Sequence, residues 1–203
     1  MKSIRLILLT ALSFVTMQSF AQTPIDALRH TFEKGAVVIE AEYEMNVPEI
    51  AITGDTKLVV QGNMYYMQGN GLEIYNNGKA LWTIDEAARE VVIESAADVN
   101  EDYLGNPVLL LVRMNDFFRV ESQKTVNSGT EYILLAKSDC GVSKADLVLA
   151  SDGKLKSARF TLDEGNVLSV KVASMKKTEE MPLDSFSPKR KFGSDWIVTD
   201  LRQ

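Results

Sequence analysis

Residues 71–93, GLEIYNNGKALWTIDEAAREVVI, read as three strands in succession. Leu72 and Ile74 alternate with Glu73 and Tyr75, the period of a half-buried strand. Asn77-Gly78 follows and is a strong hairpin signal: a type I′ turn needs positive φ at both central residues, which Asn and Gly tolerate best. Ala80, Trp82 and Ile84 share one face of the return strand. Residues 85–90 make a second, polar connection, and residues 90–94, EVVIE, form the third strand. Strands joined by tight turns make an antiparallel meander, which the rest of the chain extends.

Upstream, Val37, Ile39, Ala41, Tyr43 and Met45 share one face of a strand over residues 37–47, and Glu40, Glu42 and Glu44 alternate on the other. Pro48 and Gly54 are expected to bracket a loop, with strands over 57–61 and 64–68 after it. Residues 23–34 read as an amphipathic helix. Thr23 caps it, Pro24 suits its first position, Asp26 complements its positive end, and Ile25, Leu28 and Phe32 form its apolar stripe. That stripe needs a sheet to pack on. Residues 1–21 carry Lys2 and Arg5, an apolar run, and small residues Ser19 and Ala21 at the −3 and −1 positions, the pattern of a secretion signal. No Cys stands just after that point, so no lipid anchor is expected, and no other stretch is apolar enough to span a bilayer.

Downstream, Asn106-Pro107 opens an apolar run over residues 108–114. Leu109 and Val112, and Leu110 and Met114, fall at helical spacing, so a helix is favoured, with a buried strand as its rival. Five more strands are predicted over 118–124, 130–137, 144–150, 154–162 and 166–175, with turn residues between them. Ala158, Phe160 and Leu162 share a face, as do Leu168, Val170 and Val172.

The chain has 203 residues, 22 basic and 28 acidic, for a net charge of −6. Without Lys2 and Arg5 the mature chain carries 20 basic and 28 acidic residues, a net −8. That argues against nucleic acid or an anionic membrane surface as main partner. The length suits one domain, residues 22–203, with a sizeable core. Cys140 is the single cysteine and reads as buried packing rather than a nucleophile. His30 lies on the polar side of its helix with no partner constellation, the carboxylates of 85–90 read as a solvated turn, and no phosphate loop, metal spacing or nucleophile elbow is present. Lys189-Arg190-Lys191 reads as a solvated loop or as a contact with a membrane partner or lipid headgroup.

Several stretches resemble one family. Gly78-Lys79, Leu81-Trp82, the acidic turn at Asp85 and the EVVI strand resemble a motif of the periplasmic outer-membrane lipoprotein carriers, the LolA-like proteins. Asn106-Pro107-Val108-Leu109-Leu110 resembles the family's TPxxLL segment. The tail, with Phe186, Pro188, Phe192-Gly193 and Ile197-Val198-Thr199-Asp200, resembles its aromatic-Pro-Gly ending. The matches run in order over nearly all the mature chain. The chain departs from the family at Asn63-Met64-Tyr65-Tyr66, where members often carry an Arg-Pro pair whose Arg holds the lid; closing is left to Tyr hydroxyls, or the cargo differs.

The resemblance implies a mainly β fold: a curved, unclosed antiparallel half-barrel of about eleven strands with helices over its concave face. It implies a monomeric, non-enzymatic periplasmic chaperone, without cofactor or metal, that shields lipoprotein acyl chains. The chaperone would take cargo from an inner-membrane lipoprotein-releasing complex and deliver it to an outer-membrane acceptor. The alternative is a periplasmic lipid-binding or lipoprotein-sensing module of the same fold. Burial contributes about 0.8 kcal/mol per CH₂, so three acyl chains would bind such a cavity without polar recognition. Strand alternation on that fold assigns the acyl cavity to Tyr43, Met45, Val60, Tyr66, Ile74, Trp82, Ile84, Leu110, Met114, Phe117, Phe160 and Val170. It assigns the lid to Pro107, Leu109, Leu110 and Met114.

Overall fold

The computed structural model describes residues 23–47, 50–96, 114–162 and 165–202. Residues 1–22, which include the predicted signal, lie outside these, as do Pro107, Leu109 and Leu110 of the predicted lid. Helix α1, Pro24–Thr31, forms where expected: Thr23 accepts a hydrogen bond from the Asp26 backbone N–H, and Pro24 occupies the first turn. The Thr23 hydroxyl also donates to the Asp26 carboxylate at 2.5 Å, which holds that carboxyl below its usual range. The helix is shorter than the pattern over 23–34 suggested, because Phe32 is already its cap.

Six strands follow: β1 Ala36–Val47, β2 Ile50–Gln61, β3 Met64–Gly69, β4 Leu72–Asn76, β5 Ala80–Asp85 and β6 Glu90–Ser95. A one-turn helix, α2 Met114–Phe117, leads into β7 Phe118–Val126, β8 Gly129–Ala136, β9 Val142–Leu149, β10 Leu155–Leu162 and β11 Val167–Thr178. A 3₁₀ turn at Leu183–Phe186 and a last strand, β12 Ile197–Asp200, close the chain. The twelve strands of the described residues join one sheet, ordered β12-β6-β5-β4-β3-β2-β1-β11-β10-β9-β8-β7. Its two edges do not meet, so the sheet is an unclosed half-barrel.

The inner face carries the main core. Ile25, Leu28 and Phe32 of α1 pack there with Val37, Ile39, Val60, Tyr65, Leu81, Tyr132, Leu147, Phe160 and their neighbours. Met114 and Phe117 of α2 join the same core, as does Cys140, which is 7% exposed and donates weakly to the Val142 carbonyl.

Three expectations are corrected. Residues 48–54 are not all loop: β2 starts at Ile50, and Gly54 sits within it opposite Tyr43. Asn77 is not left-handed, so the β4–β5 turn is not type I′; only Gly78 has positive φ. Asn77 instead accepts the backbone N–H groups of Lys79 and Ala80 on its own side chain. The two-residue turn with positive φ at both centres is Asn70-Gly71, at 51° and 79°, one hairpin earlier. The tail adds a strand that pairs parallel to β6, so the sheet has a parallel pair at one edge.

The outer face carries two smaller cores, both covered by the tail. Phe186 is fully buried against Ala36 and Val59, with Val38, Met64, Tyr66 and Met181 around it. Ala80, Ile84, Val91 and Ile93 pack with Tyr75, Trp82, Phe192 and Trp196. Arg190 of the basic cluster pairs with Glu73 and Glu86, and its guanidinium lies 5.1 Å from the Trp196 ring centre.

Candidate functional site

On the inner face, beyond α1, the sheet leaves an apolar cavity of about 330 Å³. Its walls are Ile39, Ala41 and Tyr43 of β1, Thr56 and Leu58 of β2, Met67 and Gly69 of β3, and Leu72 and Ile74 of β4. The opposite wall is Leu155, Ala158 and Phe160 of β10 and Leu168, Val170 and Val172 of β11. Register explains the set. Tyr43 pairs with Val170, which pairs with Ala158; Ala41 pairs with Thr56 and Val172; Ile39 pairs with Leu58. Residues paired across antiparallel strands share a face, so each pair projects to the same side.

Leu58, Met67, Ile74, Leu168, Val170 and Val172 are only partly buried although they flank the core. Apolar side chains facing a concave space rather than one another are the usual lining of a small-molecule site. Next to this end of the sheet the β9–β10 turn meets α1. A Cβ on Gly153 would lie 2.4 Å from the Ala27 Cβ and 2.8 Å from the Leu28 nitrogen, so helix and turn touch backbone to backbone.

The mouth is polar. Asn70 sits there at the tip of the β3–β4 hairpin and donates from Nδ2 to the Tyr43 hydroxyl at 2.6 Å and to the Thr53 carbonyl at 3.3 Å. Its side chain lies over Gly54, where any Cβ would come within 2.1 Å of Asn70 Oδ1. Beyond the mouth Met45 pairs with Leu168 and Ile52, and Ile50 and Ile52 are exposed, so the apolar inner surface continues to the tip of the β1–β2 hairpin.

Of the residues predicted for the cavity, Tyr43, Ile74, Phe160 and Val170 line it. Met45 lies on the same face just outside, and Val60 is fully packed in the core beside it. Met114 and Phe117 are core residues and do not line the space. Tyr66, Trp82 and Ile84 are corrected: they face outward beneath the tail. The pairing shows why. Ile74 opposes Thr83, and Trp82 opposes Tyr75, so Ile74 and Trp82 cannot share a face. Leu110 and the rest of the predicted lid apart from Met114 lie outside the described residues. Leu58, Met67, Leu72 and Asn70 were missed. Parity from Tyr43 through β2 to β4 would have found the first three; Asn70 has no sequence signal beyond Asn-Gly.

A wider groove of about 770 Å³ crosses the other side of the same strands. It is open, with Glu42, Glu44, Asp55, Asp146, Arg159 and Lys171 around it, and it shares Tyr43, Ala158 and Val170 with the apolar cavity. Among the described residues no group of three or more His, Cys, Asp or Glu is placed to hold a metal, and His30 is exposed and bonded to Glu33 at 2.6 Å. No described helix is long and apolar enough to cross a membrane. The cavity's described lining is mostly apolar, which suits burial of an apolar group, with the Asn70–Tyr43 hydrogen bond at its rim.

No family model matches the chain, and no curated protein is similar to it in sequence. Solved structures are similar in fold. An uncharacterized conserved protein from Thermus thermophilus is 14% identical with a TM-score of 0.56, over 87% of this chain and 96% of its own. Looser likenesses are a LolA superfamily protein from Nitrosomonas europaea, at 13% identity, TM-score 0.46, and 83% and 97% coverage, and an outer membrane lipoprotein-sorting protein domain from Vibrio parahaemolyticus, at 10%, 0.45, and 80% and 94%. The chain has the open half-barrel fold that its resemblance to the LolA-like proteins implied.

Proposed function

We propose that the mature chain is a periplasmic chaperone that shields lipoprotein acyl chains in the β1–β4/β10–β11 cavity and carries them to the outer membrane. The observation that carries this reading is the cavity itself, whose walls leave half-buried apolar side chains facing open space. Burying a CH₂ there contributes about 0.8 kcal/mol, so affinity comes from chain length and release needs no chemistry. Residues 1–21 would direct export, and an inner-membrane lipoprotein-releasing complex and an outer-membrane acceptor would be the partners. A second reading, a lipid-binding or lipoprotein-sensing module, is favoured by the cavity's modest size of about 330 Å³.

Native mass spectrometry of the protein from a periplasmic fraction, with lipid analysis of what co-purifies, tests both. Cleavage before Gln22 and a bound acylated lipoprotein are expected for the carrier. Free lipid alone would support the second reading. An apo mass, with no uptake of a fluorescent fatty-acid probe, would sink both.

A further inference from the structure

We propose that Asn70, at the mouth of the cavity, is a site of spontaneous deamidation, and that the fold protects the chain's other Asn-Gly pair, Asn77-Gly78. Asn-Gly is the sequence in which this reaction runs fastest, because glycine has no side chain to hinder its own nitrogen. The 203 residues contain it twice, at 70–71 and 77–78. In the reaction the Gly71 backbone nitrogen attacks Asn70 Cγ. The new N–Cγ bond closes a five-membered succinimide, the Cγ–Nδ2 bond breaks, and the proton of the Gly71 nitrogen leaves with Nδ2 as ammonia. Water then opens one of the two imide carbonyls and leaves an aspartyl or an isoaspartyl residue at 70. Water is the co-reactant, and nothing is oxidised or reduced.

The two pairs share this chemistry but not their surroundings. At 77–78 every reacting group is held. The Gly78 N–H, which carries the nucleophile, donates to Asn76 Oδ1 at 2.8 Å, and Asn76 is 0% exposed. Asn77 Oδ1 accepts from the Lys79 and Ala80 N–H groups, each at 3.0 Å, and its Nδ2 donates to the Ser187 hydroxyl at 2.9 Å. Attack there must break these bonds together, in a part-buried turn tied to the tail.

At 70–71 the nucleophile is open. Both residues are exposed, and the Gly71 N–H has no hydrogen-bond partner among the described residues. A Cβ placed on Gly71 would meet nothing within 4 Å, whereas one on Gly78 would meet the Asn63 side chain at 3.4 Å. What restrains Asn70 is its side chain. Nδ2 donates to the Tyr43 hydroxyl and the Thr53 carbonyl, at an exposed rim where water competes for both. A hairpin tip also opens at lower cost than a turn tied down by packing. Either product lacks Nδ2. A carboxylate accepts from the Tyr43 hydroxyl but has nothing to donate to the Thr53 carbonyl, and an isoaspartyl residue lengthens the backbone of a tight turn. The change therefore falls on the rim of the cavity.

The test is ageing of the purified chain in warm, mildly alkaline buffer. Peptide mapping by mass spectrometry then separates Asn, Asp and isoAsp at 70 and at 77. The same buffer with urea unfolds the chain and supplies the reference. Expected are similar conversion at both positions in urea and, in the folded chain, conversion of Asn70 at least about tenfold faster than of Asn77. Tyr43→Phe, which releases one bond of Nδ2, should speed Asn70 further and leave Asn77 unchanged. Asn76→Ala, which frees the Gly78 N–H, should speed Asn77 and leave Asn70 unchanged; if that variant does not fold, Ser187→Ala, which releases Asn77 Nδ2, takes its place. Equal conversion of the two in the folded chain would overturn the proposal. So would an unchanged Asn70 over a period that converts it in urea. The same preference for Asn70 in urea would also overturn it, since the cause would then lie in the flanking sequence and not in the fold.

Discussion

Two residues show how backbone and solvation constrain this chain. Gly153 has φ +81° and touches α1 through its missing side chain. Gly153→Ala forces both a left-handed Ala and a 2.4 Å contact, and is expected to cost about 1–3 kcal/mol, read as a lower urea midpoint. Tyr65 is 1% exposed, and burial pushes its hydroxyl up to about 12. The folded chain therefore keeps a proton that the unfolded chain loses near pH 10. Below pH 10 the two states carry the same proton and stability is unaffected; between about 10 and 12 the unfolded state is favoured as pH rises. Unfolding midpoints measured across that window should fall for the wild type and fall less steeply for Tyr65→Phe. The sequence places Tyr65 on a strand, but its depth was not legible, since Tyr65 and Tyr66 are chemically alike and register alone sends one inward.

The tail is the element whose role the sequence understated. Residues 179–202 have little regular structure, yet they cover both outer cores. Gln61 holds Met181 by two hydrogen bonds, its Nε2 donating to the Met181 carbonyl and its Oε1 accepting the Met181 N–H. Asn77 Nδ2 donates to the Ser187 hydroxyl, and Arg89 pairs with Asp195 at 2.6 Å. These polar ties are partly exposed and each contributes little; the apolar anchors dominate. Phe186→Ala is expected to destabilise by about 3–5 kcal/mol, and Arg190→Ala by no more than about 1 kcal/mol, as compared by chemical unfolding. Equal losses would mean that the tail is held by charge. The aromatic and Pro-Gly pattern marked this segment as special, but only packing reveals that it occupies the face to which Tyr66, Trp82 and Ile84 had to turn.

At the scale of the molecule, twelve strands in one open sheet give two faces with different tasks. Among the described residues the inner face is packed by α1 and α2 and also walls the apolar cavity; the chain's own end covers two small cores of the outer face. If the hollow is a ligand site rather than a packing defect, filling it should abolish binding without harming the fold. Val170→Phe is expected to weaken acyl-probe binding by at least about tenfold while changing stability by less than about 1.5 kcal/mol. Loss of folding would show that the space is already tightly packed. The strands, the N-terminal helix and the alternation of each strand were legible from sequence, because period-two and period-3.6 patterns and turn chemistry are local. Three things came only from the tertiary structure: the inward face of β5 and β6, the meeting of Asn70 with Tyr43 and Thr53, and the size of the cavity. Each depends on register and packing summed over distant segments, where a shift of one residue reverses every side chain, and no local pattern records that sum.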